Sequence, residues 1–244
     1  MSWRKKKAPC LGVAALLATG MTIAPASHAE VSGSATAVSD YRFRGVSLSD
    51  GAPAAQADLN YDNPAGWYSG AFVATTRLGA QPQARLQWLP YGGFARRLES
   101  GASIDVGGSY SGFTGGNRLG YFEANAGITT DDWSFRLNYS PNYFRGEVRT
   151  LYAQFDASHP LGSTVRLIAH LGDLQLLSGP PQDEGAIRQQ LDVRAGIAAR
   201  WSRVTASLSW VSADRVASVY PIQSYYGQVN GAHSVWVVQL SASF

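Results

Sequence analysis

The chain has 244 residues, 45% of them hydrophobic and only 15% charged, with a formal charge of +3 that is unevenly spread. Arg4, Lys5, Lys6 and Lys7 all precede the first acidic residue, Glu30; of the 20 basic residues this leaves 16, all arginine, against 17 carboxylates and a net charge of −1. That balance excludes nucleic-acid binding by basicity, and the single cysteine, Cys10, excludes an internal disulfide.

The basic run is followed by an apolar stretch over residues 11–23 and then by Ser27-His28-Ala29. This is the order of a secretory signal peptide, and the apolar stretch is too short to span about 30 Å of hydrocarbon. We therefore expect residues 1–29 to be a signal peptide cleaved after Ala29, and residues 30–244 to form one domain. No later segment offers eighteen consecutive apolar residues, so no helical span is expected.

From there the chain alternates with a period of two, the signature of strands with unlike faces. Ala35, Ala37, Tyr41 and Phe43 oppose Thr36, Asp40, Arg42 and Arg44, which predicts a first strand running through residue 44. Ala55, Ala57, Leu59 and Tyr61 oppose Gln56, Asp58 and Asn60; residues 67–76 are apolar on both faces. Leu86, Trp88 and Phe94 oppose Arg85 and Gln87, with Pro90 and Gly92-Gly93 suggesting a bend or bulge. Ile104, Val106 and Tyr110 oppose Asp105 and Ser109; Phe122, Ala124 and Ala126 oppose Tyr121, Glu123 and Asn125. Trp133, Phe135, Leu137 and Tyr139 oppose Arg136 and Asn138; Leu151, Ala153 and Phe155 oppose Tyr152, Gln154 and Asp156. Val165, Leu167, Ala169 and Leu171 oppose Arg166 and His170, and Leu191, Val193, Ala195 and Ile197 oppose Gln190, Asp192 and Arg194. Val204, Ala206, Leu208 and Trp210 oppose Arg203, Thr205 and Ser207. The last strand places Trp236, Val238, Leu240, Ala242 and Phe244 on one face.

About twelve segments of roughly ten residues match the length needed to cross a bilayer at a tilt. Their connections alternate. Tight links fall near residues 61–66, 98–101, 130–132, 159–162 and 202; longer ones are expected over 111–118, 174–188 and 213–233. Short turns on one rim and long loops on the other are the outer-membrane arrangement, and aromatics near segment ends (Tyr61, Trp67, Tyr110, Trp133, Tyr143, Trp201, Trp210, Trp236) suit its interfacial girdles. The expected fold is an all-β transmembrane antiparallel barrel of about twelve strands. Its apolar face meets outer-membrane lipid, and the aromatic residue Phe244 resembles the terminal signal read by the barrel-assembly machinery.

The first alternating segment carries a resemblance. Ser39-Asp40-Tyr41-Arg42-Phe43-Arg44-Gly45-Val46-Ser47, followed by Asp50-Gly51, Pro53-Ala54 and Gln56, resembles the opening signature of the TorF family of porins, and Gly66-Trp67-Tyr68-Ser69-Gly70 is also similar. The family has a glutamine where this chain has Leu48. The resemblance implies a pore-type outer-membrane barrel with no assigned solute.

In such a barrel the charged face lines the lumen. The pore-lining candidates are Asp40, Arg42, Arg44, Asp58, Arg85, Asp105, Glu123, Arg136, Asp156, Arg166, Asp192 and Arg194, with Arg42 and Arg44 the first choices for a constriction. Rows of opposite sign bias which small hydrophilic solutes pass; alternatively the charges pair and fill the interior, giving a non-conducting structural or adhesion barrel that works through its external loops. An outer-membrane lipid-modifying enzyme is a distant third, since His159, His170 and His233 have no matching serine signature and no metal-ligand spacing. No cofactor is expected. The sequence leaves solute, ion preference and oligomeric state open.

Overall fold

A computed structural model describes residues 29–77, 85–114, 119–144, 148–178, 186–215 and 234–244. The expected signal segment, apart from Ala29, and the greater part of the 213–233 loop, with Tyr220, Tyr225, Tyr226 and His233, lie outside these residues. The strands are β1 (Glu30–Val38), β2 (Arg42–Phe43), β3 (Val46–Ser47), β4 (Ala54–Asp62), β5 (Trp67–Thr76), β6 (Arg85–Arg97) and β7 (Ser103–Phe113), then β8 (Tyr121–Thr129), β9 (Trp133–Ser140), β10 (Arg149–Pro160), β11 (Val165–Ser178), β12 (Gln189–Trp201), β13 (Val204–Ala213) and β14 (Val235–Ser243).

Twelve of them, all but β2 and β3, form one closed antiparallel barrel in which each strand pairs with its neighbour in sequence and β14 returns to β1. Ala35 stands opposite Ala242 and Thr36 opposite Ser241 along the closing seam. Phe244 extends it, exchanging backbone hydrogen bonds of 3.1 and 3.0 Å with Gly33. Its ring lies over that glycine, where a Cβ would come within 2.6 Å of the ring edge. Closure leaves the wall no open edge, which a strand sheet in hydrocarbon requires.

The predicted apolar rows face outward. Leu59, Leu86, Val106, Phe122, Phe135, Leu167, Leu171, Ile197, Leu208 and Leu240 are all exposed. Aromatics band both rims: Trp67 meets Phe94 at 5.2 Å on the short-turn side, and Trp88 meets Tyr110 at 5.3 Å on the other. Tyr143 is the exception to the expected girdle, being fully buried inside.

Three expectations need correction. The first strand does not run through residue 44: β1 ends at Val38, and the chain turns inward. No bulge occurs at Pro90: pairing to β7 lapses at Leu89 and Pro90 and resumes in the same register, Trp88 opposite Gly112 and Tyr91 opposite Ser109. Proline simply has no N–H to give there. Finally, the links drawn from residues 111 and 174 begin later, because β7 continues to Phe113 and β11 to Ser178; the same holds for His159 and Pro160, which end β10 instead of forming its turn.

Candidate functional site: the lumen and an inturned hairpin

All twelve candidate residues lie on the inner side of the wall or within the lumen, and none is exposed. All but one form three groups. In the half nearer the short turns, Asp58 accepts from Asn60 and from Tyr91 (3.1 Å), and Arg136 donates to Asp105 at 3.0 Å. Arg166 donates to the Ser158 hydroxyl at 2.7 Å. The tyrosines of this half lie flat on glycines: the Tyr68 ring covers Gly93, where a Cβ would stand 2.6 Å from its Cζ, and Tyr91 covers Gly70. Gly93 and Gly107 are therefore mid-strand seats for one ring, and the pairing keeps its register there. Arg85 alone stands outside the three groups, at the long-loop end of β6, opposite Thr76.

A second group sits deeper along β10 to β12. His170 Nδ1 lies 2.7 Å from Asp156 Oδ1, and its Nε2 lies 3.1 Å from Asp192 Oδ1 and 3.0 Å from the Tyr152 hydroxyl. Arg194 is adjacent, opposite His170 across the β11–β12 pairing. Both ring nitrogens of His170 are thus taken by side chains of the wall, which ties β10, β11 and β12 together.

The third group is the segment that departs from the expected strand. Residues 39–53 fold into the lumen as a β2–β3 hairpin, with Arg42 opposite Ser47 and Phe43 opposite Val46. Its two-residue tip, Arg44-Gly45, has φ of 51° and 76°, the geometry of a type I′ turn. Gly45 is required there twice over: by its φ, and because a Cβ would stand 2.8 Å from Ala213 Cβ and 2.9 Å from Asp192 Cβ on the far wall.

The hairpin carries its own polar bonds. Asp40 accepts from Arg42 Nε (2.6 Å), Ser47 Oγ (2.5 Å) and Ser49 Oγ (3.1 Å), and Arg42 also donates to the Gly45 carbonyl at 2.8 Å. The Leu48 N–H donates to the Tyr41 carbonyl at 2.7 Å. Asp40, Arg42 and Ser47 of the signature, with Ser49 just after it, therefore serve the hairpin's internal geometry, whereas the Ser39 hydroxyl accepts from the Val238 N–H of the wall at 3.0 Å.

It is moored by long-range contacts. Arg44 donates to Glu123 Oε1 at 2.8 Å, its carbonyl accepts from Gln190 Nε2 at 2.6 Å, and its guanidinium lies 4.0 Å from the Tyr152 ring centroid. Tyr41 donates to Gln87 at 2.9 Å; burial, with Tyr143 nearby, raises this phenol well above its usual range, so it remains a neutral donor. Tyr41, Phe43, Val46 and Leu48 are at most 3% exposed. They join a cluster with Phe113, Tyr121, Tyr143, Phe144, Tyr152, Leu174 and Leu176. Tyr143 and Phe144 reach it from a second connection, between β9 and β10, that also turns inward, with Phe144 at φ 52°.

Sequence reading identified the inward row of Glu123, Tyr121, Tyr152 and Gln190, but missed that Tyr41, Phe43, Tyr143, Phe144, Leu174 and Leu176 point inward too. The turn-type residues Gly45, Ser47, Ser49, Asp50, Gly51 and Pro53 were the available sign that the first strand had already ended.

A narrow cleft of about 20 Å³, partly open to solvent, lies between the hairpin and the β12–β14 wall; Arg42, Arg194, Gln56, Ser207, Ser209 and Gln239 line it together with Val38, Tyr41, Val211 and Val237.

Comparison with known proteins agrees with this architecture. The chain belongs to the family described as "Bacterial protein of unknown function (Gcw_chp)", whose profile matches residues 22–244. No curated protein matches the sequence. Among solved structures, a KdgM porin superposes with a TM-score of 0.55 at 13% identity, covering 87% of this chain and 99% of that one. A NanC porin gives 0.56 at 10% identity with the same coverage. A KdgM porin in complex with disordered oligogalacturonate gives 0.53 at 12% identity over 88% and 99%. At these identities the likeness is one of fold: a porin-like outer-membrane barrel.

Proposed function

We propose that this Gcw_chp-family barrel is a porin-like channel through which small hydrophilic solutes diffuse across the outer membrane. The observation carrying this reading is the arrangement of the twelve charged candidates. All face inward in a barrel whose outer rows are apolar, and a narrow cleft, partly open to solvent and lined by polar and apolar side chains, lies beside the hairpin. A lumen lined by paired charges and amides replaces a solute's hydration without holding it, as passive passage requires. The likeness of residues 39–56 to the TorF signature supports the same role. So does the fold shared with KdgM, whose complex with oligogalacturonate makes polar carbohydrate a solute worth testing. In this reading residues 1–29 direct export and are removed, and the strand ending in Phe244 is what the assembly machinery engages.

The purified protein, inserted in a planar bilayer, is expected to give discrete current steps, and Arg42→Gln to change the reversal potential in a salt gradient. Absence of any current from protein that is folded by its heat-modifiable gel mobility rejects the channel. One observation favours a second reading, a non-conducting barrel working through its outer loops: the hairpin reaches the far wall and packs against buried aromatics. That barrel would stay silent in the bilayer with every wall variant.

A further inference from the structure

Resting on the channel reading, we infer that solutes leave the barrel axis. Their path runs between the inturned hairpin and the wall made by β12, β13, β14, β1 and β4, and the lining of that side passage determines which solutes cross.

The hairpin divides the lumen into two unlike sides. At its tip there is no gap, since even a methyl on Gly45 would collide with Ala213 and Asp192. Toward β7–β10 the space is filled by rings: Tyr121 lies 4.7 Å from both Tyr143 and Phe144, and Phe113 lies 6.0 Å from Phe144. Ser140 and Thr150 on that side are fully buried. Displacing the hairpin as a lid is opposed by the four apolar side chains it buries in this cluster. The opposite side holds the cleft, a constriction of about 20 Å³ partly open to solvent, where polar side chains stand among Val38, Val211 and Val237.

Gln56, Gln239, Ser207 and Ser209 supply amides and hydroxyls that both donate and accept. Each can stand in for a water on a passing solute without favouring one sign of charge. The two arginines of the lining are met by carboxylates: Arg42 by Asp40 at 2.6 Å, Arg194 by the fields of Asp156 and Asp192 in the wall behind it. A passage built this way suits compact, uncharged or singly charged polar solutes, and discriminates by size and hydrogen bonding more than by charge.

The chain's single cysteine, Cys10, lies in the expected signal segment, so introduced thiols are unique in the processed protein. Gln56→Cys and Gln239→Cys, with Ser207→Cys as a near-isosteric third position, are compared with Ser140→Cys and Thr150→Cys in planar bilayers. Each variant is first checked for folding by gel mobility. A positively charged methanethiosulfonate reagent is expected to cut the current irreversibly at residues 56, 239 and 207, and to leave variants at 140 and 150 unchanged. Block at 140 or 150 without block at 56 and 239 overturns the route while leaving the channel intact. So does conductance that the reagent alters in none of the five. A wild-type protein without conductance overturns the channel itself, and the route with it.

Discussion

In the half of the barrel nearer the short turns, Asp58, Asp105, Arg136 and Arg166 point inward and Leu59, Phe135 and Leu167 point outward. Near the long-loop rim the order reverses along the same strand. On β11, Leu167 and Leu171 face outward and are exposed, whereas further along Leu174 and Leu176 face inward and are buried, with Asp173 and Gln175 on the outside. One end of the molecule is built like a membrane protein throughout; the other keeps exposed apolar residues such as Leu86 and Trp236 but adds, at β11 and the hairpin, an apolar core of the water-soluble kind. The two differ in what holds them. In the belt, apolar side chains exchange protein for lipid at little gain, and closure of the backbone ladder does the stabilising. At the rim, the hairpin and its aromatic seat are removed from water, so the ordinary hydrophobic effect applies.

The contrast can be broken most directly with two phenylalanines. Phe43→Ala, within the buried cluster, is expected to lower stability by about 3–5 kcal/mol, while Phe135→Ala, on the lipid-facing row, should lose only a small part of that. Urea unfolding in lipid vesicles followed by tryptophan fluorescence measures both, and equal losses would erase the distinction between the two ends. Next in size is the buried ion pair. Glu123→Gln leaves the Arg44 charge without its carboxylate and should cost about 3 kcal/mol; adding Arg44→Met should recover part of the loss, and a double-mutant cycle gives the coupling directly. In the polar half, a Cβ at Gly93 would meet both the Val106 carbonyl oxygen and the Tyr68 ring, so Gly93→Ala should cost about 1–3 kcal/mol by overpacking, and Tyr68→Ala should restore only the ring's share, as a double-mutant cycle would measure. The smallest effect is expected beyond the wall: Arg215 pairs with Asp214 at 2.8 Å but is more than half exposed, and Arg215→Ala should change stability by no more than about 0.5 kcal/mol.

The same contrast explains which parts of the fold were legible in the sequence. Alternation read correctly wherever lipid lies outside, because there the two faces of a strand differ in kind: Trp133, Phe135, Leu137 and Tyr139 against Arg136 and Asn138 need no further information. It misled beyond the belt. Tyr41 and Phe43 alternate with Arg42 and Arg44 as a wall strand would, yet the hairpin keeps both sets inside, the rings in the cluster and the charges on Asp40 and Glu123. Leu174 and Leu176 read as loop because their period is out of phase with Leu167 and Leu171, although the strand continues unbroken. Local partners such as Asp40 and Arg42 stand two residues apart on one face, but the long-range partners of the charged candidates were not legible. Arg44 and Glu123 are 79 residues apart, and nothing local in either segment records the other.

That separation bears on how the molecule assembles. The tip of the hairpin belongs near the start of the chain, but its mooring points are supplied by β8, β10 and β12, up to 146 residues later. Contacts so distant in sequence form late, after the intervening loops have been closed. During maturation the hairpin must therefore wait, already bonded to itself through Asp40, Ser47 and Ser49, until the curling wall brings its berth round to it. Docking of Arg44 would then be a timestamp on a finished barrel.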